Sequence, residues 1–246
     1  MAEDRDVGVD SAALERRLES VAVAVAEAAT SAGRDPAGVT TIVVTKFQPV
    51  ELVEALARLG VRDFGESRHP EARDKAAALA ESTPWEAGTP DPTWHFIGQL
   101  QTNKARQVAR YADVIHSVDR AALIDALAAS DRQPAVFLQI DLAERTDPSG
   151  GFGRGGADPA DAEQLTEHIL AAGLGLAGVM AVAPQDAEPC AAFERLRRVS
   201  DRVVRIAPEA TAISAGMSGD FAAAIAAGAT HLRIGTAITG PRPPAP

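Results

Sequence analysis

The sequence predicts a single (β/α)8 barrel, the TIM-barrel class of α/β fold, with an additional N-terminal helix ahead of the first strand. Short apolar or β-branched runs recur near residues 41–46, 61–66, 93–98, 113–118, 135–142, 175–183, 211–216 and 231–238, with helical patterns between nearly all of them. Such alternation calls for parallel strands joined by right-handed crossovers, and eight units in about 240 residues suit a closed barrel. Only a proline tail follows the eighth run, so the first helix is expected to fill the gap that a last helix would leave. An open doubly wound sheet is the competing arrangement.

Taken in order, residues 1–10 and the tail 241–246 read as disordered ends around a barrel of residues 11–240. Asp10-Ser11 caps a first helix to about Ala32, with Leu14, Leu18, Val21 and Val25 on one stripe and Gly33 as its stop. The segment Thr83 to Pro92 is rich in Pro and Gly and reads as a surface loop before the third strand, not a domain boundary. Apolar residues make up 46 % of the 246 and charged ones 24 %, an ordinary globular balance. The net charge of −10 argues against nucleic acid or an anionic membrane as main partner. Cys190 is the only cysteine, which makes a reducing, cytoplasmic setting the default. The acidic start is no signal peptide, and no apolar run reaches membrane-spanning length.

Within a barrel the chemistry gathers where the strands end, and two charged residues stand out there. Lys46 closes the apolar run Thr41-Ile-Val-Val-Thr45 and shares strand parity with Ile42 and Val44, the expected inner face. It is expected to be partly buried at the mouth, near Arg233; the plain alternative is a lysine snorkelling to solvent. Of the other two lysines, Lys75 reads as part of a solvated helix face and Lys104 opens another helix. Arg233 in His231-Leu-Arg-Ile-Gly-Thr236 points inward by the same parity and needs an acceptor from protein or ligand.

A third feature is an anion site. Ser214-Ala-Gly-Met-Ser218 ends strand seven, and Ser218 is a plausible N-cap of the next helix, which leaves Gly216, Met217 and Ser218 to offer amides. Gly235-Thr236 after strand eight supplies the other half, since barrels often bind phosphate between these two loops. A capped helix and nothing more is the alternative. The literal G-x-G-x-x-G of Gly151 to Gly156 lacks the strand before it and the helix after it, so a glycine loop over the mouth is expected in place of a nucleotide site. The five histidines show no metal-ligand spacing, His95 reads as a satisfied core histidine, and Cys190 as structural.

Val44-Thr-Lys46, Phe64-Gly-Glu66, Trp94-His-Phe-Ile-Gly98 with Gln101-Thr-Asn-Lys104, His116-Ser-Val-Asp119, Gly178-Val-Met180, Gly216-Met-Ser218 and Arg233-Ile-Gly-Thr-Ala-Ile238 occur in this order. In this the chain resembles the pyridoxal phosphate homeostasis proteins over nearly its whole length. The resemblance implies a barrel like the N-terminal domain of alanine racemase, with pyridoxal 5'-phosphate as a Schiff base on Lys46. It further implies a phosphate held around Ser214 and Gly235-Thr236, and Arg233 facing the pyridine nitrogen. Members carry and regulate the cofactor without robust catalysis, and apo-enzymes that require it are possible partners. Ser67 stands where the family usually has asparagine, Thr239 where it has phenylalanine, and Arg154-Gly-Gly156 where it has Lys-Ser-Gly. Lysine, anion site and inward arginine by themselves also fit a class I aldolase or a pyridoxal-dependent racemase.

Overall fold

The computed structural model describes residues 9–82, 90–143, 155–184 and 188–241. Eight parallel strands close into a barrel in sequence order: β1 Thr40–Val44, β2 Asp63–Glu66, β3 Thr93–Phe96, β4 Val114–Val118, β5 Ala135–Gln139, β6 Leu176–Met180, β7 Ala212–Ser214 and β8 His231–Ile234. β8 pairs with β1, Ile42 opposite Arg233, which completes the ring and excludes the open sheet. The helices are α1 Ser11–Ser31, α2 Val50–Arg58, α3 Glu71–Ser82, α4 Ala105–Ala109, α5 Ala121–Ala128, α6 Ala162–Ala171, α7 Pro189–Ile206, α8 Phe221–Ala226 and α9 Thr236–Thr239. The expected termini beyond 9 and 241, the tip of the loop before β3 (83–89) and Gly151 to Arg154 lie outside the described residues.

The additional helix behaves as its sequence implies. Asp10 accepts the Ala13 amide at 2.9 Å as N-cap, and Gly33 follows with φ +67. Leu14, Val21 and Val25 are buried, and α1 packs on α8 and α9, in the gap expected for it. Arg17 Nε donates to the Ile238 carbonyl at 2.7 Å, and Arg34 Nη1 donates to the carbonyls of Ile225 and Ala229.

Strand alternation sorts side chains into two cores. Val43, Phe64, Trp94, Leu138 and Val179 belong to the shell between strands and helices, whereas Ile42, Val44, Phe137 and Met180 are buried apart from that shell, inside the barrel. The interior is also polar: His95, His116, Gln139, Ser214 and Arg233 are all buried. One boundary differs from expectation. The eighth run reads as strand to residue 238, but extended pairing stops at Ile234, and after Gly235 (φ −110, ψ −94) the chain turns into α9.

Candidate functional site

Lys46 sits two residues beyond β1, in a turn, and is exposed where partial burial was expected. Its Nζ lies 6.0 Å from the centroid of the Phe47 ring and has no hydrogen bond or ion pair among the described residues. Phe47 has φ +66, a left-handed conformation that costs a residue with a Cβ about 1–2 kcal/mol. The surroundings hold it there. Phe47 N donates to Glu71 Oε1 at 2.8 Å, and Thr45 Oγ1 donates to Glu66 Oε1 at 2.7 Å. Lys75 Nζ donates to the Thr45 carbonyl, to Glu66 Oε1 and to Glu71 Oε1, each at 2.8 Å. Both neighbours of Lys46 are therefore pinned by one cluster of charges.

That cluster corrects the reading of Lys75 as solvated. Lys75 is 6 % exposed and Glu66 1 %. Ala72, Lys75 and Leu79 fall on the inward side of α3, and the shortness of Ala72 leaves room for the lysine stem beside it. Burial pushes the Glu66 carboxyl above its usual range against the pull of Lys75, and Glu66 Oε2 is buried without a hydrogen-bond partner.

Arg233 points inward, as its strand parity predicts, and is 5 % exposed. Nη1 donates to Ser214 Oγ at 2.7 Å and Nη2 to the Ala181 carbonyl at 2.8 Å. Burial lowers its pKa to about 10, opposed by the field of Asp220. Two of its five N–H groups are thus bonded and three remain for a ligand. Ser214, expected to meet a phosphate, is instead fully buried, with its hydroxyl engaged by Arg233 and by His116 Nδ1 at 2.9 Å.

The two expected anion loops do come together. Arg233 N donates to the Gly216 carbonyl at 2.9 Å, and a Cβ placed on Gly235 would lie 3.5 Å from Val44, two residues before Lys46. Gly216 has φ +93, and a Cβ there would meet Ala224 at 2.8 Å, so glycine lets α8 close on the turn. The amides of Gly216, Ser218, Gly219, Thr236 and Ala237 have no acceptor among the described residues. Met217 differs: its amide donates to Asp220 Oδ1 at 2.5 Å, and Asp220, not Ser218, is the N-cap residue of α8. Ser218 and Thr236 are exposed, so their hydroxyls are open to a ligand. Of these open amides, sequence reading did not single out Gly219 and Ala237, which have no polar side chain to mark them. Gln48 Nε2 donates to Thr239 Oγ1 at 3.4 Å and ties the Lys46 turn to α9.

Across the mouth, Gln99 Nε2 donates to Gln139 Oε1 at 2.8 Å and Gln139 Nε2 to the Gly155 carbonyl at 2.9 Å. Ala157 then bridges Ile140, and the helical turn begins only at Pro159, so Gly155 and Gly156 shape a rim strap and do not open a nucleotide-binding helix. Tyr111 packs on the outer shell, its ring stacked on His69 at 5.9 Å. Cys190 is exposed on the first turn of α7. Among the described residues no group of three His, Cys, Asp or Glu could hold a metal, and no helix is long and apolar enough to cross a membrane.

A closed parallel barrel with a lysine just past β1, an inward arginine on β8 and open amides after β7 and β8 defines a class, and the family model "Alanine racemase, N-terminal domain" matches residues 25–243. The fold likeness extends to alanine racemase from Corynebacterium glutamicum, at TM-score 0.68 and 16 % identity over 93 % of this chain and 60 % of that one. Within that class, the pyridoxal phosphate homeostasis protein of Mycobacterium leprae is 37 % identical over 98 % of both chains. The structure of PipY from Synechococcus elongatus with pyridoxal phosphate bound has TM-score 0.71 and 31 % identity over 92 % of this chain and all of that one. The chain belongs to the pyridoxal phosphate homeostasis protein family.

Proposed function

We propose that this protein binds pyridoxal phosphate at the barrel mouth, with Lys46 bonded to its aldehyde carbon, and that it holds and delivers the cofactor in pyridoxal phosphate homeostasis without robust catalysis. The observation that carries this is the meeting, at one end of one barrel, of a lysine and five amides that have no partner among the described residues and an arginine with spare donors. The names of its relatives and the cofactor bound in PipY support it. When bound, pyridoxal phosphate supplies an aldehyde and a ring able to take up electrons. Lys46 adds to the aldehyde carbon and water leaves. The amides at Gly216, Ser218, Gly219, Thr236 and Ala237, with the Ser218 and Thr236 hydroxyls, donate to the phosphate between two neighbouring loops.

On this reading Arg233 faces the pyridine nitrogen, which disfavours transamination and decarboxylation and leaves racemisation as the enzymatic alternative. A guanidinium donates a hydrogen bond but does not give up its proton at neutral pH, so the ring stays a weak electron sink. Two-base racemisation further needs an acid/base group on the face opposite Lys46. Tyr111 lies outside the barrel and His95 is sealed inside it. The lone exposed cysteine supports a reducing, cytoplasmic setting.

Three experiments test this reading. A visible absorption band bleached by borohydride is expected on loading, and its absence would favour an aldolase. Loaded protein mixed with an apo-enzyme that requires pyridoxal phosphate should restore that enzyme's activity, while a panel of L- and D-amino acids is left unchanged. Steady turnover of any of them, lost in Lys46→Ala, would replace the carrier by a racemase-like enzyme. For the phosphate, one hydrogen bond to a charged group is worth roughly 1.5–3 kcal/mol, so Thr236→Val should weaken cofactor binding about tenfold to a hundredfold in a fluorescence titration. Wild-type affinity in both Thr236→Val and Ser218→Ala would move the phosphate elsewhere.

A further inference from the structure

Behind Arg233 runs a row of polar side chains that cofactor contact does not explain. Ser214 Oγ lies 2.9 Å from His116 Nδ1, His116 Nε2 lies 2.9 Å from His95 Nδ1, and His95 Nε2 lies 3.0 Å from Asp63 Oδ1. Ser214 and His116 are fully buried and His95 is 3 % exposed. Asp63 is the first residue of β2, so its carboxylate, about one-third exposed, stands at the end of the barrel opposite Lys46.

Donor counting sets the direction of every hydrogen in the row. Arg233 can only donate, so the Ser214 oxygen accepts from it, and the buried hydroxyl then satisfies its own hydrogen by donating to His116 Nδ1. Burial, with His95, Arg233 and His231 nearby, holds the His116 pKa well below its ordinary value, so the ring is neutral. A neutral imidazole with a bare Nδ1 carries its hydrogen on Nε2 and gives it to His95 Nδ1. His95 in turn carries its hydrogen on Nε2 and donates to the Asp63 carboxylate. Phe137, stacked on His116 at 4.4 Å, holds that ring plane in place.

We propose that Ser214, His116, His95 and Asp63 form a one-way hydrogen-bond relay that orients Arg233 from the far end of the barrel, making them positioning residues for the group that faces the pyridine nitrogen. The inference rests on the cofactor reading above. Arg233 touches no carboxylate among the described residues, and Asp63 provides a negative terminus four hydrogen bonds away. Bonds aligned in one direction polarise one another, which strengthens the grip of Ser214 on one edge of the guanidinium and leaves its spare donors aimed at a ligand. Reversal at any member would set two hydrogens or two lone pairs against each other.

The apo-protein allows a test that needs no cofactor. Two-bond ¹⁵N–¹H spectra should show the hydrogen on Nε2, and none on Nδ1, in both His95 and His116. Asp63→Asn, which keeps an acceptor oxygen, should preserve that pattern, and Asp63→Leu should disturb it. In loaded protein Asp63→Leu should shift the visible band and weaken cofactor binding about threefold to tenfold, the worth of one ordinary hydrogen bond, with Asp63→Asn close to wild type. A role confined to packing would move the melting temperature of Asp63→Leu but neither the tautomers nor the band. A hydrogen on Nδ1 of either histidine would overturn the relay; disturbed tautomers with an unmoved band and affinity would overturn its positioning role. Failure of the cofactor reading looks different: wild-type protein would then show no visible band at all.

Discussion

Lys46→Ala is expected to yield a folded protein that carries no borohydride-fixed cofactor. The side chain is exposed and makes no hydrogen bond or ion pair among the described residues, so its loss should cost no more than about 0.5 kcal/mol of stability. The turn that presents it is held through Thr45 and Phe47, whose bonds to Glu66, Glu71 and Lys75 do not involve residue 46. The two remaining lysines are poor substitutes. Lys75 spends its three hydrogens on the Thr45 carbonyl, Glu66 and Glu71 in a buried setting, and Lys104 belongs to the helical turn Thr102–Lys104 after β3. Peptide mass spectrometry of reduced wild type should find one adduct, on Lys46, and none in the variant. An adduct on Lys75 or Lys104 in the wild type would move the attachment site and with it the account of the barrel mouth.

The barrel was legible because eight strands buried on both faces leave eight apolar runs, and Lys46 and Arg233 stood out as charges where such strands exclude them. What escaped the sequence has particular causes. The helix α3 is rich in alanine on every side, so its buried face carries little contrast, and the lysine on it reads as solvent-facing. Residues 235–238 are small or β-branched and read as strand, yet Thr239 Oγ1 bonds the Gly235 carbonyl and Ile238 is fully buried in a helical turn. The role of Met217 turned on Asp220 three residues later, a local side-chain contact competing for the amide. Ser214 ends β7 as expected, and its strand parity sets it inside the barrel, where its hydroxyl meets the Arg233 guanidinium, a contact the sequence reading did not draw.

The Lys75→Met variant carries the largest expected loss of stability. Removing one partner of a buried ion pair leaves the other charge without compensation, which typically costs 3–5 kcal/mol, about 6–20 °C in melting temperature for a chain of this size. Here the stranded group is Glu66, already raised by burial and already lacking a partner at Oε2. The Thr45 carbonyl loses its donor in the same step, so the turn beside Lys46 loosens and cofactor binding should weaken along with the fold. A second substitution separates the two effects. Lys75→Met with Glu66→Leu removes the stranded charge and should regain part of the melting temperature, because an apolar pair of similar volume often replaces a buried ion pair at little cost. Cofactor affinity should stay low in that double variant, since neither new side chain can bond the Thr45 carbonyl or hydroxyl. Thermal melts and cofactor titrations on the single and double variants check this. A Lys75→Met protein melting within about 2 °C of wild type would show that the cluster is spent on neither stability nor the placement of Lys46.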